Sequence, residues 1–189
     1  MAKQAMAKGL DAALVKEITN CVIDRLRDEE KKAVKTQMDK RRASTRLLLQ
    51  NYRILVDHFE SAVFTVSQVD VDDGLSLGEV IELINGNSSD WLKVESIRQS
   101  SVKTKIIVTH INTMLEFYRT FCERSPKEED KRRYRVIYWL YLDSDPKTVE
   151  ELADEEKTNE RTIYRDVSAA IEQLTALFFG IDGIKKLVE

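Results

Sequence analysis

Proline and glycine are scarce: two Pro and six Gly in 189 residues. Both residues punctuate chains, so their shortage leaves room for long, uninterrupted helices. Histidine is scarce too, with two in the chain. His58 and His110 each fall inside an amphipathic pattern, with no Cys, Asp or Glu at a spacing that completes a ligand set. No glycine-rich phosphate cradle and no nucleophile motif occurs, so the expectation is a non-enzyme without cofactor or small-molecule substrate. The two cysteines, Cys21 and Cys122, lie far apart in apolar helical contexts and read as buried free thiols. No apolar run approaches the ~20 residues of a membrane span. The first residues, MAKQAMAKGLDAAL, lack a sustained apolar core and a cleavage pattern, so the expected location is the cytoplasm, with no membrane partner.

What is present is apolar and charged in the proportions of a helical protein: 42% hydrophobic and 33% Asp, Glu, Lys and Arg. That balance is too apolar for a disordered chain. The net charge of −3 hides strong local bias. Residues 24–46 carry nine basic and five acidic side chains, and residues 119–135 carry seven and four. Residues 143–172 invert this, with four basic against ten acidic.

Helical periodicity dominates. Leu10, Leu14, Ile18, Val22 and Leu26 recur at four-residue steps, and Leu47, Leu48, Tyr52, Leu55, Val56, Phe59 and Val63 form a wide apolar face. The charged stretch between them predicts either a solvated helix laced with short-range ion pairs or a hinge. Residues 67–75, SQVDVDDGL, break the pattern. With Gly74 at the sixth loop position, Val69 and Val71 stand where a calcium loop needs carboxylates, so the segment reads as a loop whose Asp residues cap the next helix. A short helix over 75–84 stops at Asn85-Gly86-Asn87. Another, capped by Ser88 or Ser89, carries Trp91, Leu92, Val94 and Ile97. A strong helix over 106–122 groups Ile107, Ile111, Met114, Leu115, Tyr118, Phe121 and Cys122, and ends at Ser125-Pro126. The basic run KRRYRVIYWLYL follows, then the turn Asp143-Ser144-Asp145-Pro146. The chain reads as all-α, with a helical assembly region over 1–125 and a C-terminal unit over 130–184.

Thr148–Phe179 is the segment that points at a partner. Thr148 and Glu151 have capping-box spacing. Val149, Leu152 and Ala153 form an inward face, while Glu150, Asp154, Glu155 and Glu156 face water. Lys157-Thr158 turns, Asn159 caps a second helix, and Ile163, Val167, Ala170, Ile171, Leu174, Leu177 and Phe178 recur at three- and four-residue steps. This leaves Arg161, Thr162, Arg165 and Ser168 outward, with Tyr164 at the border. Two helices joined this way form a helix-turn-helix, whose second helix lies in the DNA major groove. Arg suits guanine edges or phosphates, Thr a thymine methyl and Tyr a phosphate. The candidate DNA-binding residues are therefore Lys157, Thr158, Asn159, Arg161, Thr162, Tyr164, Arg165 and Ser168. The competing reading is a helical hairpin that binds no DNA, with Arg161 and Arg165 paired to carboxylates one turn away. The acidic tally around the second helix favours that reading, since phosphate neutralisation supplies most non-specific affinity.

The residues Arg161-Thr162-Ile163-Tyr164-Arg165-Asp166 and Phe179-Gly180-Ile181-Asp182-Gly183 resemble the C-termini of phage late-gene transcription regulators of the ArpU/RinA type. Ile97–Cys122, RRYRVIYWLYL and TRLLLQNYR (45–53) are also similar to that family. The resemblance implies a helix-turn-helix like region 4 of sigma factors, a phage or prophage origin, control of late, packaging or lysis genes, and double-stranded DNA as partner, with RNA polymerase as a further one. A small-terminase-like DNA-packaging protein also joins a helix-turn-helix to oligomerising helices, but usually places it first. The apolar stripes over 10–65 exceed what one short C-terminal unit covers, so a homodimer through these helices is expected, with the basic 24–46 stretch near DNA phosphates.

Overall fold

The computed structural model describes residues 12–66, 76–86 and 88–180. Among them are eight α-helices and one π-helical turn, with no strand, as the periodicity predicts. The helices are α1 (Ala12–Gln50), α2 (Tyr52–Val66), α3 (Leu77–Asn85), α4 (Asp90–Arg98), α5 (Ser101–Arg124), α6 (Glu128–Ile137), α7 (Val149–Glu155) and α8 (Glu160–Phe179). None is long and apolar enough to cross a membrane.

The charged stretch of α1 is continuous helix, not a hinge. Short-range links of the expected kind support it: Arg27 reaches Asp24, and Thr36 Oγ1 donates to the Lys32 carbonyl at 2.9 Å. The chain divides into two compact units after Asp39. The first holds the charged part of α1, and every side chain from Lys31 to Gln37 is exposed. Val22, Leu26 and Val34 of the same helix are exposed too. So is Cys21, which corrects the expectation of two buried thiols; Cys122 alone is buried, and both are free.

The second unit, from Lys40 onward, has one core. Helix α5 is its axis and packs against α2, α3, α4, α6 and α8. Ile107, Ile111, Leu115, Tyr118 and Cys122 of α5 meet Leu48, Leu49, Leu55, Val80, Ile84, Ile97, Val136 and Ile137. Helices on both sides of residues 125–130 share this core, so the expected boundary there is not where the contacts separate the chain. Only Asn51 interrupts the first two helices. Its Nδ2 donates to the Leu47 carbonyl at 2.8 Å, and its own carbonyl accepts from the Leu55 backbone N–H at 3.0 Å.

Several expectations need correction. The cap of α3 is Ser76, not an upstream Asp. Ser76 Oγ accepts from the Glu79 N–H while the Glu79 carboxylate accepts from the Ser76 N–H, a reciprocal box. The 67–75 loop and residues 1–11 lie outside the described residues. Trp91 and Leu92 are exposed because the buried stripe of α4 narrows to Ile97. Phe121 is also exposed, since the contact face of α5 is centred on Ile111, Leu115, Tyr118 and Cys122.

The aromatic run after α6 winds into a π-helical turn, Tyr138–Leu142, where the Asp143 N–H donates to the Tyr138 carbonyl. Such a turn leaves carbonyls without intrahelical partners. Arg53 of α2 supplies donors: its Nη1 reaches the Asp143 carbonyl at 2.9 Å and Nη2 the Leu140 carbonyl at 3.4 Å. The Lys147 ammonium lies 3.9 Å from the centre of the Trp139 ring and also contacts Glu155. This cation–π contact holds the loop that leads into α7.

Candidate nucleic-acid interface

Helix α7 begins with the expected capping box. Thr148 Oγ1 accepts from the Glu151 N–H at 3.2 Å, and the Glu151 carboxylate accepts from the Thr148 N–H at 2.7 Å. Those bonds also hold the Glu151 carboxyl below its usual range.

The helix ends in a Schellman-type turn. The Thr158 N–H donates to the Ala153 carbonyl at 2.8 Å and the Lys157 N–H to the Asp154 carbonyl at 3.2 Å. Such a turn needs one left-handed residue, and Lys157 takes it with φ 50°. Two residues later Asn159 opens α8, its Oδ1 accepting from the Thr162 N–H at 2.9 Å. The α7–α8 connection is thus fixed at both ends by backbone hydrogen bonds. Helix α8 buries Ile163, Val167, Ala170, Ile171, Leu174 and Phe178. Its opposite face is open.

The eight sequence-predicted residues lie together on this turn and the first half of α8, but they are not equivalent. Arg161, Tyr164 and Arg165 are exposed, as is Lys157 in the turn. Among the described residues none of the three cations forms an ion pair, so the carboxylate pairing of the hairpin reading is not found. Tyr164 is 57% exposed, far more than its neighbours on the buried face. Asn159 and Thr162 are occupied locally, because the Thr162 hydroxyl also lies 3.1 Å from Asn159 Oδ1. The Ser168 hydroxyl donates to the Tyr164 carbonyl at 2.9 Å. Thr158 is half-buried. Among the described residues, four of the eight side chains are therefore both exposed and free at their polar ends: Lys157, Arg161, Tyr164 and Arg165.

Part of the acidic tally of this segment is cancelled by residues far away in sequence. Asp166 is buried on the inward side of α8 and accepts from Arg132 Nε of α6 at 2.6 Å, with Arg133 Nε 3.6 Å from its other oxygen. Glu156 does not face water as its position in the pattern predicts. Instead Arg135 of α6 clamps both its oxygens at 2.7 Å. The guanidinium holds the Glu156 carboxyl below its usual range, and the carboxylate pushes Arg135 up in turn. Glu172 pairs with Arg42 at the end of α1, and Glu155 with Lys147. Two arginines of the basic run of α6 are thereby consumed in joining helices, and Lys131 and Arg133 pair within α6 itself. Arg132 and Arg135 are counter-ions of α8 and α7, and Arg133 pairs chiefly with Asp130 of its own helix, so none of the three is a free phosphate ligand. Arg119, in the same basic segment, bridges Glu116 and Glu123 of its own helix.

Further ties fix the far end of α8. The buried Thr45 and Thr175 hydroxyls share a hydrogen bond of 2.8 Å. His110 Nε2 donates to the Phe178 carbonyl at 3.0 Å, a structural use of one of the two histidines. Sequence reasoning misses Asp166, Glu156 and Glu172 as positioning groups. One signal is available: Asp166 falls among Ile163, Val167 and Ala170 on the inward face of α8. A carboxylate there requires a cation from a neighbouring helix.

Chemically, the surface offers three unpaired cations and a phenol beside the N-terminus of a rigidly held 20-residue helix. A helix N-terminus adds backbone N–H groups and the positive end of the macrodipole. Among the described residues of this segment, the acidic side chains left uncommitted are Asp145, Glu150, Asp154 and Glu160. Comparison of the chain with protein-family models, curated proteins and solved structures found no match among them.

Proposed function

We propose that the chain is a sequence-specific double-stranded DNA-binding transcription regulator that presents the start of α8 to the major groove. One observation carries this reading. Arg161 and Arg165 stay exposed and unpaired among the described residues, while Asp166, Glu156 and Glu172 of the same segment are held by arginines from α6 and α1. A helix that merely closed a bundle would gain by pairing its own cations with those carboxylates. The turn fixes the approach of α8, and Lys157 and Tyr164 flank the two arginines as phosphate ligands. The resemblance of residues 161–166 and 179–183 to ArpU/RinA-type regulators supports the same reading. It extends the proposal to a phage or prophage origin, late-gene control and a cytoplasmic site of action. Selection from a random duplex pool at low salt is the test: enrichment of a common site supports sequence-specific binding, and recovery of unchanged random sequence defeats it.

A protein partner as well as DNA has its own support. Glu150, Asp154 and Glu160 are exposed beside the cations and would repel phosphate. Those carboxylates suit a basic polypeptide surface, such as a subunit of RNA polymerase. Self-association is also part of the proposal. The exposed Val22, Leu26 and Val34 of α1 are an apolar face suited to a second copy. Sedimentation of the full chain tests this: a dimer is expected, a monomer at tens of micromolar contradicts it, and a large ring would favour DNA packaging.

A further inference from the structure

Two phenylalanines stand exposed on α5 without a role in the core or in the interface above. Phe117 is 60% and Phe121 56% exposed. At 100° per residue they fall on one flank of the helix with His110 and Met114, within a sector about 60° wide. Met114 is half-buried at the edge of the core. The stripe thus runs from His110 to Phe121, a length of about 16 Å at the α-helical rise. Single exposed apolar residues need no explanation, but two large rings one turn apart and continuous with a half-buried Met form a patch.

The chain itself leads to this patch. Helix α8 ends against its first residue: the Phe178 carbonyl accepts from His110, and the two rings lie 6.1 Å apart. Gly180 then turns the chain with φ 78°, a conformation that favours glycine. Nine residues follow, IDGIKKLVE. Their pattern is amphipathic: Ile181, Ile184 and Val188 fall at i, i+3 and i+7 with Leu187 beside them, and Asp182, Lys185, Lys186 and Glu189 fall on the other side. A segment of that length reaches about 13 Å as a helix, most of the stripe, and about 30 Å extended, more than its whole length.

We propose that residues 181–189 fold back and dock their apolar side on the His110–Met114–Phe117–Phe121 stripe of α5. The occupant is this chain's own tail, because its starting point is already bonded to one end of the stripe. The patch and the tail also match in kind, each apolar along one narrow face. Docking would couple the tail to the far end of the helix that carries Arg161 and Arg165.

Limited trypsin digestion of the full-length protein under native conditions provides the test, following cleavage at Lys185 and Lys186 by mass spectrometry. The double variant Phe117→Glu/Phe121→Glu should be cut there at least tenfold faster than the parent, with its helical circular dichroism unchanged. A second variant, Ile184→Ser/Leu187→Ser, alters only the tail, puts no acidic group beside the cleaved lysines and cannot unfold the core through α5. It should show the same acceleration. Equal cleavage rates in the parent and the tail variant overturn the proposal. So does a parent whose phenylalanine patch is covered by another copy, seen as a dimer that Phe117→Glu/Phe121→Glu dissociates while tail cleavage stays unchanged.

Discussion

Removing the Asp166 charge should cost more stability than any other single-atom change near the candidate interface. The variant is Asp166→Asn, which keeps the shape and leaves Arg132 without its carboxylate. Asp166 is 3% exposed and its bond to Arg132 Nε is 2.6 Å. Breaking a fully buried ion pair by removing one partner costs about 3–5 kcal/mol. Two features lower that figure here. Arg132 retains 17% exposure, and Arg133 keeps Asp130 at 2.6 Å. We expect a loss of about 2–3 kcal/mol, or roughly a 5–10 °C fall in Tm for a unit of this size. Urea unfolding followed by tryptophan fluorescence is the assay. Trp139 packs against the core of the second unit and dominates the change, because Trp91 is 69% exposed already. The double variant Arg132→Met/Asp166→Leu should recover most of the loss, since an apolar pair of similar volume leaves no buried charge unpaired. A stability of Asp166→Asn within about 0.5 kcal/mol of the parent would refute the reasoning. It would mean that the pair is solvated and does not pin α8 to α6.

Lys157→Gly should raise stability by about 0.5–1 kcal/mol, because it removes the cost of a side chain at a left-handed position, and should weaken DNA binding at the same time; a drop in stability on thermal melting would contradict the turn assignment. Glu156→Gln should flatten the acid limb of the stability curve. The folded carboxyl is held low by Arg135, so its contribution is complete above its unfolded pKa, near 4.3, and is lost as pH falls through the lower folded value. Urea midpoints of parent and variant should therefore differ at neutral pH and converge as pH falls below the folded value; a gap that stays constant down the acid limb would argue against the pair. Leu174→Asp places an unpaired charge at a position with no exposure and should abolish cooperative melting of the unit, whereas a parent-like melt would put the buried face of α8 elsewhere.

Helix content and order are legible in the sequence because period-3.6 patterning and caps are local signals. Thr148, Glu151, Asn159 and Gly86 all act where their types and spacing place them. The long-range partners are not legible. Nothing local tells Arg135 to choose Glu156, or Arg42 to choose Glu172 130 residues away. The charge tallies mislead for the same reason. A basic segment and an acidic one look like separate surfaces, although Arg132 and Arg135 of one are the counter-charges of Asp166 and Glu156 of the other. Exposure of Trp91, Phe117 and Phe121 also depends on which face of each helix finds neighbours, and hydrophobicity alone does not settle that. In the interface itself, residue type locates the outward positions. Only the geometry separates Asn159, Thr162 and Ser168, whose side chains serve the helix, from Lys157, Arg161, Tyr164 and Arg165.

The most direct test of the DNA-binding reading is the salt dependence of binding to a selected duplex, measured by fluorescence anisotropy for the parent and for Arg161→Ala/Arg165→Ala. The double variant should melt like the parent, because neither side chain has a partner among the described residues. Loss of a bidentate base contact costs about 1–3 kcal/mol per arginine, and each lost phosphate contact lowers the slope of log K against log salt by about 0.9. Binding should therefore weaken at least tenfold, with a shallower slope. A double variant that binds with the parent's affinity and the parent's slope would contradict the assignment of α8 to the groove.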